Sequence, residues 1–108
     1  MALVLIYTIG TRQEERALDS DTITIGRGAD NDIVLTDFSV SRKHCRIVRK
    51  GDKYRIEDAG SRNGTMVNGD PVKKHTLKPG DEICLGRFPI RLVDGPTPRP
   101  TTKEIVME

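Results

Sequence analysis

A chain of 108 residues holds one domain with a single modest core. Hydrophobic residues make up only 35% and charged residues 31%, so that core has to be built from thin elements such as strands. A net charge of +2, no tryptophan and 4% aromatics argue against a duplex nucleic-acid binder, a base-stacking platform or a sugar-stacking surface, and the longest apolar run, 2–7, is too short for a membrane span or a secretory leader.

Residues 2–9 are dense in β-formers and predict a strand. Residues 10–16 are polar and read as a connection, while 14–18 have the makings of one helical turn, too short to stand as a helix. From 21 to 25 polar and apolar residues alternate with the period of a half-buried strand. That run stops at Gly26-Arg27-Gly28, where two glycines let a partner come close to the arginine. Ala29-Asp30-Asn31 predicts a turn and Ile33-Val34-Leu35 the next strand.

The segment 37–44 is a polar, cationic loop between two strands. It offers hydroxyls from Ser39 and Ser41, charge from Arg42 and Lys43, and an imidazole from His44. On a rigid β scaffold such a loop suits an anionic ligand such as a phosphate. Taken alone, it reads more simply as a solvated turn.

Residues 45–49 and 53–57 form a hairpin closed by Lys50-Gly51-Asp52, and 58–64 is a second polar loop. A short strand at 65–67 meets Asn68-Gly69, the pair favoured in type I′ hairpins, and 71–73 returns. Lys78-Pro79-Gly80-Asp81 has the residues of a type II turn. Residues 82–85 and 88–93 are the closing strands, in which Pro89, with no N–H to donate, belongs on an edge, at a strand end or at a bulge. The domain is expected to span 1–95. Residues 96–108 follow as a Pro/Thr-rich tail, or a linker to a further domain, with Pro96, Pro98 and Pro100 favouring an extended chain. Many short strands between Gly, Pro, Asn and Asp turns indicate an all-β sandwich or barrel.

Cys45 and Cys84 each fall inside a strand, which predicts buried free thiols in a reducing, cytoplasmic setting; their spacing does not exclude a disulfide. His44, Cys45, His75 and Cys84 have no recognisable metal-ligand spacing. A Ser41–His44 hydrolytic pair lacks a third orienting group and an oxyanion site. No metal, cofactor or enzymatic activity is therefore expected.

Four pieces stand in order: Gly26-Arg27 after a strand, Ser41-Arg42-Lys43-His44 before one, Ser61-Arg62-Asn63-Gly64-Thr65 after one, and Val67-Asn68-Gly69 closing a hairpin. With 77–81 following, this series over roughly 3–94 resembles the forkhead-associated (FHA) domain. The resemblance implies a two-sheet β-sandwich whose loops at one end bind phosphothreonine in a partner protein, phosphorylated by a Ser/Thr kinase, for signalling or regulation. It implies contacts from Arg27, Ser41, Arg42, Ser61, Arg62 and Asn63, with Gly26, His44 and Gly64 supporting the site. In the family the histidine is similar to a loop-shaping residue rather than a ligand contact. Arg62 departs from the family, which often has Ser or Thr there. The arginine either makes a different phosphate contact or reads acidic residues nearby. Thr97, Thr101 and Thr102 raise a further expectation, that a phosphorylated tail docks on its own or a neighbouring domain. The rival expectation is an FHA-fold domain binding an unmodified partner through a sheet face. Neither nucleic acid nor membrane is expected as a partner.

Overall fold

A computed structural model describes residues 2–95. The expectations for the tail, Thr97, Thr101 and Thr102 included, lie outside the described residues. Eleven strands run in chain order as β1 (Ala2–Ile9), β2 (Arg12–Ala17), β3 (Thr22–Gly26), β4 (Ile33–Val34), β5 (Cys45–Lys50), β6 (Lys53–Asp58), β7 (Thr65–Val67), β8 (Asp70–Val72), β9 (Lys74–Thr76), β10 (Glu82–Leu85) and β11 (Phe88–Gly95). They form two sheets, β2-β1-β11-β10-β7-β8 and β4-β3-β5-β6-β9. Pairing is antiparallel except for the short parallel contact of β3 with β4. The chain is the expected all-β, two-sheet sandwich.

Period-2 alternation places one apolar set between the sheets. In the six-stranded sheet Leu5 pairs with Leu92, and Ile83 with both Ile90 and Val67. In the five-stranded sheet Ile23 pairs with Ile47, and Ile47 with Ile56. All of these side chains are buried. Burying each is worth about 1.5–3 kcal/mol, so the sandwich is held by its core and its end loops are free to vary.

Two strands differ from expectation. The polar segment after residue 10 is not a connection with a helical turn. It is β2, an edge strand paired to β1 from Val4↔Ala17 to Ile9↔Arg12. Gly10, with φ 63, takes the first position of the two-residue turn, where type II′ geometry needs glycine. The charged residues of β2 suit an edge that must stay unpaired on its outer side. The second strand, β9, leaves β8 and crosses to the other sheet to pair with β6. Its three residues carry no alternation long enough to read.

The turns follow their residues. Asn68 (φ 53) and Gly69 (φ 86) both have the positive φ of a type I′ pair. Asp81 N–H donates to the Lys78 carbonyl (3.2 Å) across the Pro79-Gly80 turn. Pro89 is the second residue of β11; it sits opposite Cys84 of β10, one pair in from the Leu85↔Phe88 turn pair, so its missing N–H faces the other side, where it lies beyond the last register pair with β1, Ile6↔Arg91. Both cysteines are free thiols as expected, but only Cys45, which faces the core from the five-stranded sheet, is buried; Cys84, on the other sheet, is half-buried and its thiol donates to the Gly86 carbonyl (3.2 Å). No helix among the described residues is long and apolar enough to cross a membrane.

Candidate functional site

Four segments meet at one end of the sandwich: the end of β3, the loop 35–44, the loop 59–64 and the β10–β11 turn. The first two are joined by backbone bonds that extend the β3–β5 pairing. Arg27 N–H donates to Ser41 O (2.9 Å), Gly28 N–H to Arg42 O (3.1 Å) and His44 N–H to Ile25 O (3.0 Å). The approach is so close that a Cβ on Gly26 would sit 2.2 Å from the Arg42 carbonyl oxygen. Glycine is required there by contact with backbone. Arg27, next in sequence, is thereby turned to solvent. Its Nε donates to Val40 O (3.1 Å), which fixes the guanidinium and leaves both Nη groups without a protein partner among the described residues.

His44 joins the loops and is fully buried. Its Nδ1 accepts from Ser41 N–H (3.0 Å), so the ring hydrogen is on Nε2 and is donated to the Gly64 carbonyl (2.8 Å). Both ring nitrogens are thus occupied by backbone, and neither can take a proton from the Ser41 hydroxyl. The Ser41 Oγ instead accepts from Arg62 N–H (2.9 Å), which leaves its own O–H to donate outward.

Asp58 shapes the loop that carries Arg62 and Asn63. Its carboxylate accepts from Gly60 N–H (2.9 Å), Ser61 N–H (3.1 Å), Ser61 O–H (2.5 Å) and Thr65 O–H (2.7 Å). Desolvation pushes this carboxyl up, but the hydrogen bonds from Ser61, Thr65 and Gly60 outweigh it and hold the pKa below the usual aspartate value. The Ser61 Oγ also accepts from Gly64 N–H (3.0 Å), so that hydroxyl is spent inside the loop.

Arg27, Ser41, Arg42, Arg62 and Asn63 line one open depression of about 360 Å³ together with Phe38, Ser39, Val40 and Gly60. Five of the six expected contact residues are therefore brought together. Ser61 stands apart as loop scaffold, and Gly26, His44 and Gly64 lie in the supporting framework. Lys43 turns away, with its ammonium 4.0 Å from Asp30.

Sequence reasoning passed over an adjoining depression of about 760 Å³, lined by Thr36, Asp37, Phe38, Ser39, Asn63, Gly86 and Arg87. Phe38 is 97% exposed on the rim the two depressions share. Ser39 holds this region in place. Its O–H donates to Asp37 (2.6 Å), its Oγ accepts from Arg87 N–H (2.9 Å), and its carbonyl accepts from the Asn63 amide (2.9 Å). A Cβ on Gly86 would meet the Ser39 carbonyl oxygen at 2.2 Å. The signal for Asp37 was present in its spacing, an aspartate two residues before a serine, which is the pattern of a side-chain-capped turn. Phe38 carried none.

In chemical terms, the first depression presents guanidinium, hydroxyl and carboxamide groups and no carboxylate on its wall. It suits an oxyanion on a peptide.

The profile of the FHA domain matches residues 23–86, more than half of the chain. The chain belongs to the FHA domain family. It is 45% identical over 78 residues to the oxoglutarate dehydrogenase inhibitor of Corynebacterium jeikeium, covering 72% of this chain and 54% of that protein. This FHA domain thus spans about half the length of that relative. Among solved structures, the FHA domain of the CT664 protein from Chlamydia trachomatis superposes with a TM-score of 0.80 at 35% identity, over 88% of this chain and 99% of that one. An FHA domain solved in a study of phosphothreonine-dependent interactions matches with a TM-score of 0.80 at 34% identity, over 89% and 99%.

Proposed function

We propose that this FHA domain is a phosphothreonine-dependent interaction module, with Arg27, Ser41 and Asn63 as its central contacts and Arg42 and Arg62 as flanking cations. The observation that carries the reading is that three arginines, Ser41 with its free hydroxyl and Asn63 line a single depression that no acidic residue lines. A phosphothreonine brings about −1.5 to −2 charges and three acceptor oxygens at neutral pH. The Arg27 Nη groups give charge-assisted, fork-like bonds to it, and the Ser41 O–H satisfies a further oxygen. Asn63 has its carbonyl oxygen and one N–H left over after bonding Ser39, a donor and an acceptor that match a peptide backbone. A preference for threonine over serine needs a niche for one methyl, worth about 0.8 kcal/mol or roughly fourfold.

The role that follows is recruitment of a protein phosphorylated by a Ser/Thr kinase. A relative named as an enzyme inhibitor supports regulation by binding rather than catalysis. The test is calorimetry with one peptide in phosphothreonine, phosphoserine and unmodified forms. The wild-type domain is expected to bind the first best and the last not at all. Arg27→Ala is expected to lose at least 100-fold in affinity, about 2.7 kcal/mol, while the melting temperature falls by only a few degrees, because an exposed side chain and its single bond to Val40 are removed. Equal binding of the unmodified peptide would instead favour docking of an unmodified partner through a sheet face.

A further inference from the structure

The cation count of the cradle exceeds what one phosphate needs. Arg27, Arg42 and Arg62 all line the first depression, and none takes part in an ion pair among the described residues. Three guanidiniums carry three positive charges, while a phosphothreonine dianion carries close to two. Roughly one positive charge is left facing the ligand. The adjoining depression is different: Asp37 and Arg87 line it together, one charge of each sign, beside the Phe38 ring. The surplus thus belongs to the first depression, where Arg42 and Arg62 are the cations beyond Arg27. Arg62 itself is placed by its backbone, whose N–H is bonded to the Ser41 Oγ, so its side chain starts next to the hydroxyl that faces the ligand. Arg62 therefore stands beside Ser41 on the same wall of the depression, next to where the residues flanking a bound phosphothreonine would lie.

Resting on the phosphothreonine reading above, we infer that the preferred partner segment carries a second anionic group close to the phosphothreonine, and that Arg62, with Arg42, is the specificity-determining element that reads it. The group is a carboxylate or a second phosphate. Either one supplies the missing charge, and a guanidinium fork pairs with both. The exposed phenyl and the balanced pair in the second depression favour a neutral or apolar residue on the opposite flank.

The experiment is calorimetry on the full chain with a phosphothreonine peptide of otherwise neutral residues. Glutamate, and separately a second phosphothreonine, is moved through the three positions on either side. One flank is expected to show about fivefold tighter binding with glutamate and about tenfold or more with phosphate, as a partly desolvated pair adds about 1 kcal/mol and a phosphate carries more charge than a carboxylate. In Arg62→Gln the ratio of acidic to neutral affinity is expected to fall to within twofold of one, whatever happens to the neutral peptide itself. A ratio near one at every position of the wild type, or a ratio that survives in Arg62→Gln and in Arg42→Gln, overturns the inference. Binding of the neutral phosphopeptide without any acidic gain refutes this inference alone. Failure of every phosphopeptide to bind refutes the phosphothreonine reading and this inference with it.

Discussion

Each end of the sandwich is organised around a carboxylate, and the two are used differently. Away from the candidate site, Asp81 is 1% exposed and accepts from the Asn68 amide (2.9 Å) and Lys78 N–H (3.0 Å). Asn68 continues the seam, exchanging bonds with the backbone of Glu82. His75 Nε2 lies 3.4 Å from Asp81 without the alignment of a hydrogen bond. At the site end, Asp58 gathers its bonds within its own loop, from Gly60, Ser61 and Thr65, and the link to the facing loop comes from His44 and Ser41. At the far end the side chains bond one another and the adjoining backbone, tying hairpin to turn. At the site end, scaffold bonds are made largely to backbone, and the Ser41 O–H, the Arg27 Nη groups and part of the Asn63 amide are left over. Unspent hydrogen-bonding capacity on exposed or half-buried side chains, where a ligand can reach it, marks the candidate binding end; at the far end His75 Nε2, unpartnered among the described residues, is buried.

The sharpest way to break this comparison is Asp81→Ala. It removes two hydrogen bonds to a buried carboxylate, from the Asn68 amide and the Lys78 N–H, each worth ~1.5–3 kcal/mol. The expected loss is about 3 kcal/mol, or roughly 10–20 °C in melting temperature for a domain of this size. Below the new midpoint, phosphopeptide affinity is expected to stay within twofold of wild type. Differential scanning calorimetry paired with titration at a temperature where the variant is folded checks both halves. A tenfold affinity loss in the folded variant would mean that the far end also sets the geometry of the site.

Asp58→Asn is the counterpart. The amide keeps the volume, but with its oxygen on the N–H groups of Gly60 and Ser61 its NH2 faces the Ser61 and Thr65 hydroxyls, which lose their acceptor, so the loop has to rearrange. Since Arg62 N–H is bonded to Ser41, displacement of the loop moves Arg62 and Asn63 together. About tenfold weaker phosphopeptide binding is expected with only ~1–2 kcal/mol of destabilisation. The ratio of the two effects is the informative quantity: large on binding and small on stability for Asp58, the reverse for Asp81. Equal ratios would erase the distinction between the two ends.

How much of this was legible in the sequence follows the same division. Turns whose chemistry is local were readable: Asn68-Gly69, Lys78-Pro79-Gly80-Asp81 and Lys50-Gly51-Asp52 specify their own backbone. Most strands were readable from alternation, but β2 and β9 were not. The first is a polar edge strand defined only by its partner β1, and the second is three residues long with a partner in the other sheet. For the site, the family resemblance placed Arg27, Ser41, Arg42, Arg62 and Asn63 at one end, and they do line one depression. What stayed hidden was the distribution of hydrogen bonds. Nothing in the string says that the Ser61 hydroxyl is consumed by Asp58 and Gly64 within its own loop while the Ser41 hydroxyl keeps its proton free; the Ser41 half of that fact depends on two loops twenty-one residues apart meeting. Phe38 was hidden for a related reason: in sequence an aromatic reads as core, and only the packed sandwich puts it outside.

The smallest expected effect separates ligand from scaffold by pH. Asp58 and Asp81 both have pKa values held below the ordinary 3.8; in each case hydrogen bonds outweigh a desolvation that acts in the opposite direction. A carboxylate whose folded value is depressed contributes its full stability above the unfolded value and loses it only as pH falls through the folded one. From pH 7.5 to 5.5 both groups remain ionised in either state, so neither end of the sandwich loses stability from them. The ligand titrates inside this window. With a second phosphate pKa near ~6, the dianion falls from about 97% to about 24% of the free peptide. If the cradle of three guanidiniums takes the dianion, affinity therefore drops about fourfold over the same two units. Titrations at the two pH values, with thermal scans alongside, check this directly. Constant affinity would show that the monoanion suffices and that the surplus charge around Arg62 does not act on the phosphate. A fourfold loss at constant melting temperature places the proton on the ligand and not in the protein.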